Sequence, residues 1–188
     1  EAMVELPRVM MTQEAARASE LVFVDASLPD YQRLVADVLR ATGGERPVEV
    51  ILLDASRTSA GRIGGSPRLD AAMDAALLLT ALAGHARDRV QVLAGDRVVH
   101  ARISGTDRAR LLHDTISTLA PVESRLVEAD WSALATEVVR LGTHRALVVL
   151  LTSLESSAIE EGLLPVIPAL VAHHRVVVAS VTDPGLAV

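Results

Sequence analysis

The sequence predicts an α/β fold: a three-layer sandwich around a mostly parallel, doubly wound sheet with one antiparallel edge strand. Three observations predict it. Short apolar runs of strand character alternate with segments of helical period along the chain. The run "ALVVLLT" (146–152) is continuously apolar, as a strand buried on both faces of a parallel sheet must be. Half of the 188 residues are apolar, yet the only aromatics are Phe23, Tyr31 and Trp131, so Leu, Val and Ala must fill the core.

Taken in order, residues 1–20 show little period and read as an arm or short helix. "LVFVD" (21–25) reads as a buried strand. Ser27 and Pro29 open a helix with Leu34, Val35, Val38 and Leu39 on one stripe, which Gly43 and Gly44 end. "VEVILLD" (48–54) is the second strand. A loop leads to Ser66-Pro67 and a helix from Pro67 to about Ala83, stopped by Gly84. "RVQVLAG" (89–95) and "RVVHARI" (97–103) form a hairpin or bent pair about Asp96. Thr106 caps a helix with Ala109, Leu112, Ile116 and Leu119 at helical spacing, closed by Pro121. A further helix begins near Asp130 and carries Trp131, Leu134, Val138 and Leu141 before Gly142. After 146–152, Ser157 and Glu160 suggest a capping box, and Pro165 and Pro168 split the helix that follows. "RVVVASV" (175–181) is the last strand.

Composition removes several function classes. A net charge of −6, with 18 basic and 24 acidic residues, is wrong for a nucleic-acid surface. The absence of cysteine excludes thiolate catalysis, disulfides and Cys-zinc sites. Every basic residue is arginine, which excludes a Walker lysine and a Schiff-base lysine. The six histidines have no metal-ligand spacing, no G-x-S-x-G elbow occurs, and "GRIGG" lacks the spacing of a dinucleotide loop. No secretory signal is visible, and the apolar helix is read as too short to span a bilayer, so the expectation is a cytoplasmic chain, or a piece of one, without a membrane segment.

What remains is the end of the second strand. In such sheets ligands bind outside the carboxyl ends of the strands. Asp54-Ala55-Ser56-Arg57-Thr58 places oxygen side chains at alternate positions there. That arrangement can hold a hard divalent ion, or it can cap a loop by hydrogen bonds to backbone amides. A hydrolase or phosphotransferase using Asp54 is the alternative of another class, although no second Asp follows two residues on.

The stretches "VILLDASRTSAGRIG", "RLDAAMDAALLLTALA", "DRVQVLAGDRVVHARI", "VEADWSAL" and "ALVVLLTSLE" resemble the von Willebrand factor A-like domain of a large bacterial family, over about residues 46–188. That family has no assigned enzymatic activity, and its members are often encoded beside MoxR-type AAA+ ATPases. The resemblance implies a Rossmann-like fold and a protein partner. It also implies a metal-ion-dependent adhesion site in three parts. Asp54, Ser56 and Thr58 match the first. The second, a threonine, falls on Ala129, and the third, an aspartate, on Ser153. The implied site is degenerate, with Mg2+ bound weakly or not at all. Arg57, Arg62, Glu128, Asp130, Thr152, Ser153 and Glu155 are then the expected partner-binding loop residues.

Residues 20–54, through "ELVFVDASLPDYQRLVADVL", resemble the start of a different, adhesin-associated bacterial domain of unknown function. Residues 1–45 are therefore expected to be an extension whose strand 21–25 joins the sheet at its edge, beside 175–181.

Overall fold

The computed structural model describes residues 21–25, 48–63, 65–141 and 145–180. The expectations for the arm, the helix from Ser27 to Gly44, the stop at Gly142 and Val181 fall outside the described residues.

Six strands form one sheet in the order β1-β8-β7-β2-β5-β6. They are β1 (Leu21–Asp25), β2 (Val48–Asp54), β5 (Arg89–Gly95), β6 (Val99–Gly105), β7 (Ala146–Leu151) and β8 (Arg175–Ser180). All neighbours are parallel except β5 and β6. The expected antiparallel edge is thus β6, and β1 takes the other edge beside β8. Two further strands, β3 (Arg62–Ile63) and β4 (Ser66–Pro67), make a small ribbon after the Asp54 loop.

The alternation of side chains along each strand feeds two cores. Ile51, Leu53, Val90, Val92, Leu147 and Val149 face α1 (Arg68–Ala86) and α2 (Arg108–Leu119). Val50, Leu52, Leu93, Val148, Leu150, Val176 and Val178 face α3 (Trp131–Arg140), Leu163 in the turn after the short, unburied α4 (Ser156–Ala158), and α5 (Ile167–His173). A helix layer on each side of the sheet makes the three-layer sandwich.

Several local expectations are corrected. α1 runs through Gly84 and ends at Arg87, which adopts a left-handed φ of 63° and returns its N–H to Ala83 and Gly84 carbonyls. A Cβ at Gly84 would lie 3.2 Å from Arg108 Cγ, so this glycine serves the approach of α2 and not a helix stop. The 19-residue α1 is longer than expected and is, by length and composition alone, the one described helix able to cross a membrane; its inner face packs on the sheet. Asp107, not Thr106, caps α2 by accepting from Arg110 N–H, and the buried stripe is Leu111, Thr115 and Leu119. β6 begins at Val99, because Asp96 to Val98 make the bend. No Ser157–Glu160 capping box forms: Glu155 is the N-cap and a π-helical turn (Ile159–Leu163) follows α4. Pro165 and Pro168 do divide the segment, with Pro168 in the first turn of α5.

The opposite end of β2 carries an acid. Glu49 is buried, and burial together with the nearby Asp88 carboxylate pushes its pKa up to about 7.

Candidate functional site

β2 delivers Asp54 to the carboxyl edge at the middle of the sheet, between β5 and β7. Its side chain is 1% exposed. Burying a carboxylate is costly unless hydrogen bonds replace its water, and here three do. Oδ1 accepts from Ser56 N–H at 2.8 Å. Oδ2 accepts from the Thr58 hydroxyl at 2.9 Å and from the Thr152 hydroxyl at 2.6 Å. Because Thr58 donates to Asp54, the 3.2 Å contact between Ser56 Oγ and Thr58 Oγ1 is a donation from serine to threonine. Ser59 donates to the Asp54 carbonyl at 2.6 Å, closing the 3-10 turn Arg57–Ala60 over the strand end.

Neighbouring loops are pinned to this turn by backbone bonds. Ala55 N–H donates to Gly95 O (2.8 Å), Arg125 N–H to Ala55 O (2.8 Å) and Arg57 N–H to Val127 O (2.9 Å). Asp96 supports the same region from beneath. It is fully buried, pairs with His100 at 2.8 Å and Arg125 at 3.5 Å, and its carbonyl accepts Asp130 N–H at 3.0 Å. Burial alone would raise its pKa, but the hydrogen bonds from His100 and the amides of Arg97 and Val98 hold it below the ordinary value.

Above Asp54 opens a cleft of about 300 Å³. Its lining includes Asp54, Ser56, Arg57, Thr58, Glu128, Ala129, Trp131, Ser157, Glu161 and Gly162. Arg57 and Glu128 form an ion pair at its mouth, and that bond raises the arginine above its already high pKa. Trp131, which sequence periodicity assigns to the core, is both core and cleft wall. Gly162 fits against it because a Cβ there would meet Trp131 Cδ1 at 2.8 Å.

Of the residues expected to face a partner, Arg57 and Glu128 lie at the cleft. Arg62 instead donates to the Gly65 carbonyl in its own turn. Asp130 caps α3 through Ala133 N–H at 2.9 Å. Glu155 pairs with Arg68 at 3.4 Å, and Arg68 also donates to Thr58 O at 3.1 Å. Thr152 and Ser153 are 8% and 2% exposed, so burial removes them from the surface. Thr152 serves Asp54, while the Ser153 hydroxyl has no hydrogen-bond partner among the described residues. Sequence reasoning missed Arg68, Asp96 and Glu161; only the tertiary fold brings them to this edge.

A divalent cation would find one carboxylate here, already accepting three hydrogen bonds, and neutral Ser56 and Thr58. Ala129 offers no side-chain donor atom, and no three His, Asp or Glu side chains converge among the described residues. That set fits a hard cation poorly.

No protein-family description matches the chain, and no curated protein does. Among solved structures the chain is similar to a conserved hypothetical protein, BatB, from Bacteroides thetaiotaomicron, at 16% identity and a TM-score of 0.47, over 70% of this chain. It spans 65% of the length of BatB. It is also similar to the SpRpn10 VWA domain, at 12% identity and a TM-score of 0.46, over 73% of this chain and 90% of that one. At these values the fold stands on its own strand order, and the chain is a doubly wound α/β sandwich with a cleft above Asp54.

Proposed function

We propose that this chain is a non-enzymatic protein-interaction domain on a von Willebrand A-like fold, with a degenerate adhesion site held by hydrogen bonds in place of a metal. The 2.6 Å bond from Thr152 to Asp54 carries the reading. It ties the loop after β2 to the loop after β7, the two segments that the resemblance would have a metal join. The alternative, a hydrolase or phosphotransferase using Asp54, has less support. A nucleophile must reach its substrate, whereas both carboxylate oxygens here are engaged and the residue is 1% exposed. A MoxR-type AAA+ ATPase is the partner that the sequence resemblance implies.

Calorimetric titration with Mg2+ and with Mn2+ tests the metal-free reading. The expected result is no binding at micromolar concentrations, and none that Asp54→Ala alters. Micromolar binding abolished by Asp54→Ala would overturn it. Turnover of a phosphoester panel that the same variant abolishes would overturn the non-enzymatic assignment.

A further inference from the structure

Leu126 is 85% exposed, the most exposed large apolar side chain among the described residues. A leucine on a loose loop tip would mean little. This one is held in place. Arg125 N–H donates to Ala55 O and Val127 O accepts from Arg57 N–H, so backbone bonds to the buried Asp54 turn flank it on both sides. Val98, 58% exposed, stands on the β5–β6 bend. That bend is joined to the same loop through Asp96, which accepts the amides of Val98 and Asp130. Two apolar side chains are thus presented to solvent on a framework already ordered, which lowers the entropic cost of contact.

Glu128 lies two residues beyond Leu126, at most about 7 Å along the chain. There the cleft begins. Asp54, Glu128 and Glu161 line it against a single cation, Arg57, which Glu128 already pairs. A partner's carboxylate entering this cleft would meet like charge, whereas an arginine or lysine would meet Glu161 and share Glu128. Its volume, about 300 Å³, admits one long side chain and not a folded element.

We infer that this edge docks a segment of a partner protein that carries an arginine or lysine beside an apolar residue. The apolar residue packs on Leu126 and Val98, and the cation enters the cleft between Glu128 and Glu161. The inference rests on the protein-interaction reading above and names the chemistry of the partner.

Selection of a phage-displayed library of random short peptides on the intact chain tests it. Enriched peptides should share Arg or Lys next to an aliphatic or aromatic residue. A synthetic peptide of the leading sequence should bind Leu126→Asp and Glu161→Arg about tenfold more weakly than wild type, or weaker still. Both sites are exposed, so the variants should keep the wild-type melting curve. The same peptide with its basic residue replaced by Gln should lose about as much on the unaltered protein, and added salt should weaken the parent peptide. Enriched acidic peptides, or peptides indifferent to all three changes, would overturn the basic-segment proposal and leave an interaction domain standing. No enrichment at all would overturn both.

Discussion

Asp54 and Thr152 are far apart in sequence, yet the Thr152 hydroxyl donates to the Asp54 carboxylate at 2.6 Å. The parallel register explains the meeting. Leu53 stands opposite Leu151, so the next residue of each strand leaves the sheet at the same height. Thr152→Val keeps the shape and deletes the donor, leaving a buried carboxylate short of one bond. It should cost about 1–3 kcal/mol in urea unfolding, and Thr152→Ser should recover most of the loss. A variant as stable as wild type would mean the bond contributes nothing. The Asp54-Ser56-Thr58 half of the cluster was legible from spacing, because those contacts span two to four residues. The Thr152 half was not, since nothing local to "LLTSLE" says which strand lies next to it. The same blindness hid Asp130's structural role: its position before Trp131 reads equally as a loop acid or a helix cap, and the observed bond to Ala133 N–H decides for the cap.

Among the elements, α1 shows how a correct pattern gets a wrong end. Gly84 has the composition of a helix stop, but helix packing claimed it, and Arg87 stops the helix three residues further on. Arg87 holds a left-handed conformation that costs an L-residue roughly 1 kcal/mol and glycine almost nothing. Arg87→Gly should therefore stabilise the chain by about 0.5–1 kcal/mol, read as a higher Tm. An unchanged or lower Tm would show that the arginine side chain contributes more than its backbone strain costs. Strand existence was the most legible feature of all. β7 announces itself because a continuous apolar run of that length has no other place to go, and β2, β5 and β8 are mostly apolar over a similar length. Helix faces were less legible: in α2 several apolar residues compete, and only contact with α1 and the sheet selects Leu111 and Leu119 over Ile116.

At the scale of the whole molecule, the two ends of the sheet treat acids differently. The carboxyl end surrounds Asp54 and Asp96 with donors. The amino end buries Glu49 near Asp88, with its pKa pushed up to about 7 from 4.5. The folded state then keeps a proton that the unfolded chain releases, so this group's contribution to stability falls as pH rises from 4.5 through 7. The full loss is about 3 kcal/mol, reached above the folded pKa. Asp88, raised by burial, acts in the same sense. His174, lowered by burial, acts in the opposite one as its unfolded form takes up a proton below 6.5. The difference between wild type and Glu49→Gln isolates the glutamate. The variant should gain stability over wild type as pH rises from 5 to 8, and a difference independent of pH would refute the assignment. Nothing in "VEVILLD" signalled this, because an acid at the start of a strand ordinarily reaches water.

The pairing of Leu21 with Val176 joins residues about 150 positions apart in the chain. On a ribosome adding about 5–20 residues per second, β1 emerges long before the strand it pairs with exists. The sheet can assemble outward from β2, but its last edge closes only when both ends of this span are present. Between the formation of β8 and the docking of β1, β8 offers a bare parallel edge, and the β1 of any nearby copy could fill it as well as its own. High local concentration during synthesis or refolding should therefore favour exchange of β1 between copies, giving dimers whose individual sheets are indistinguishable from the monomer's.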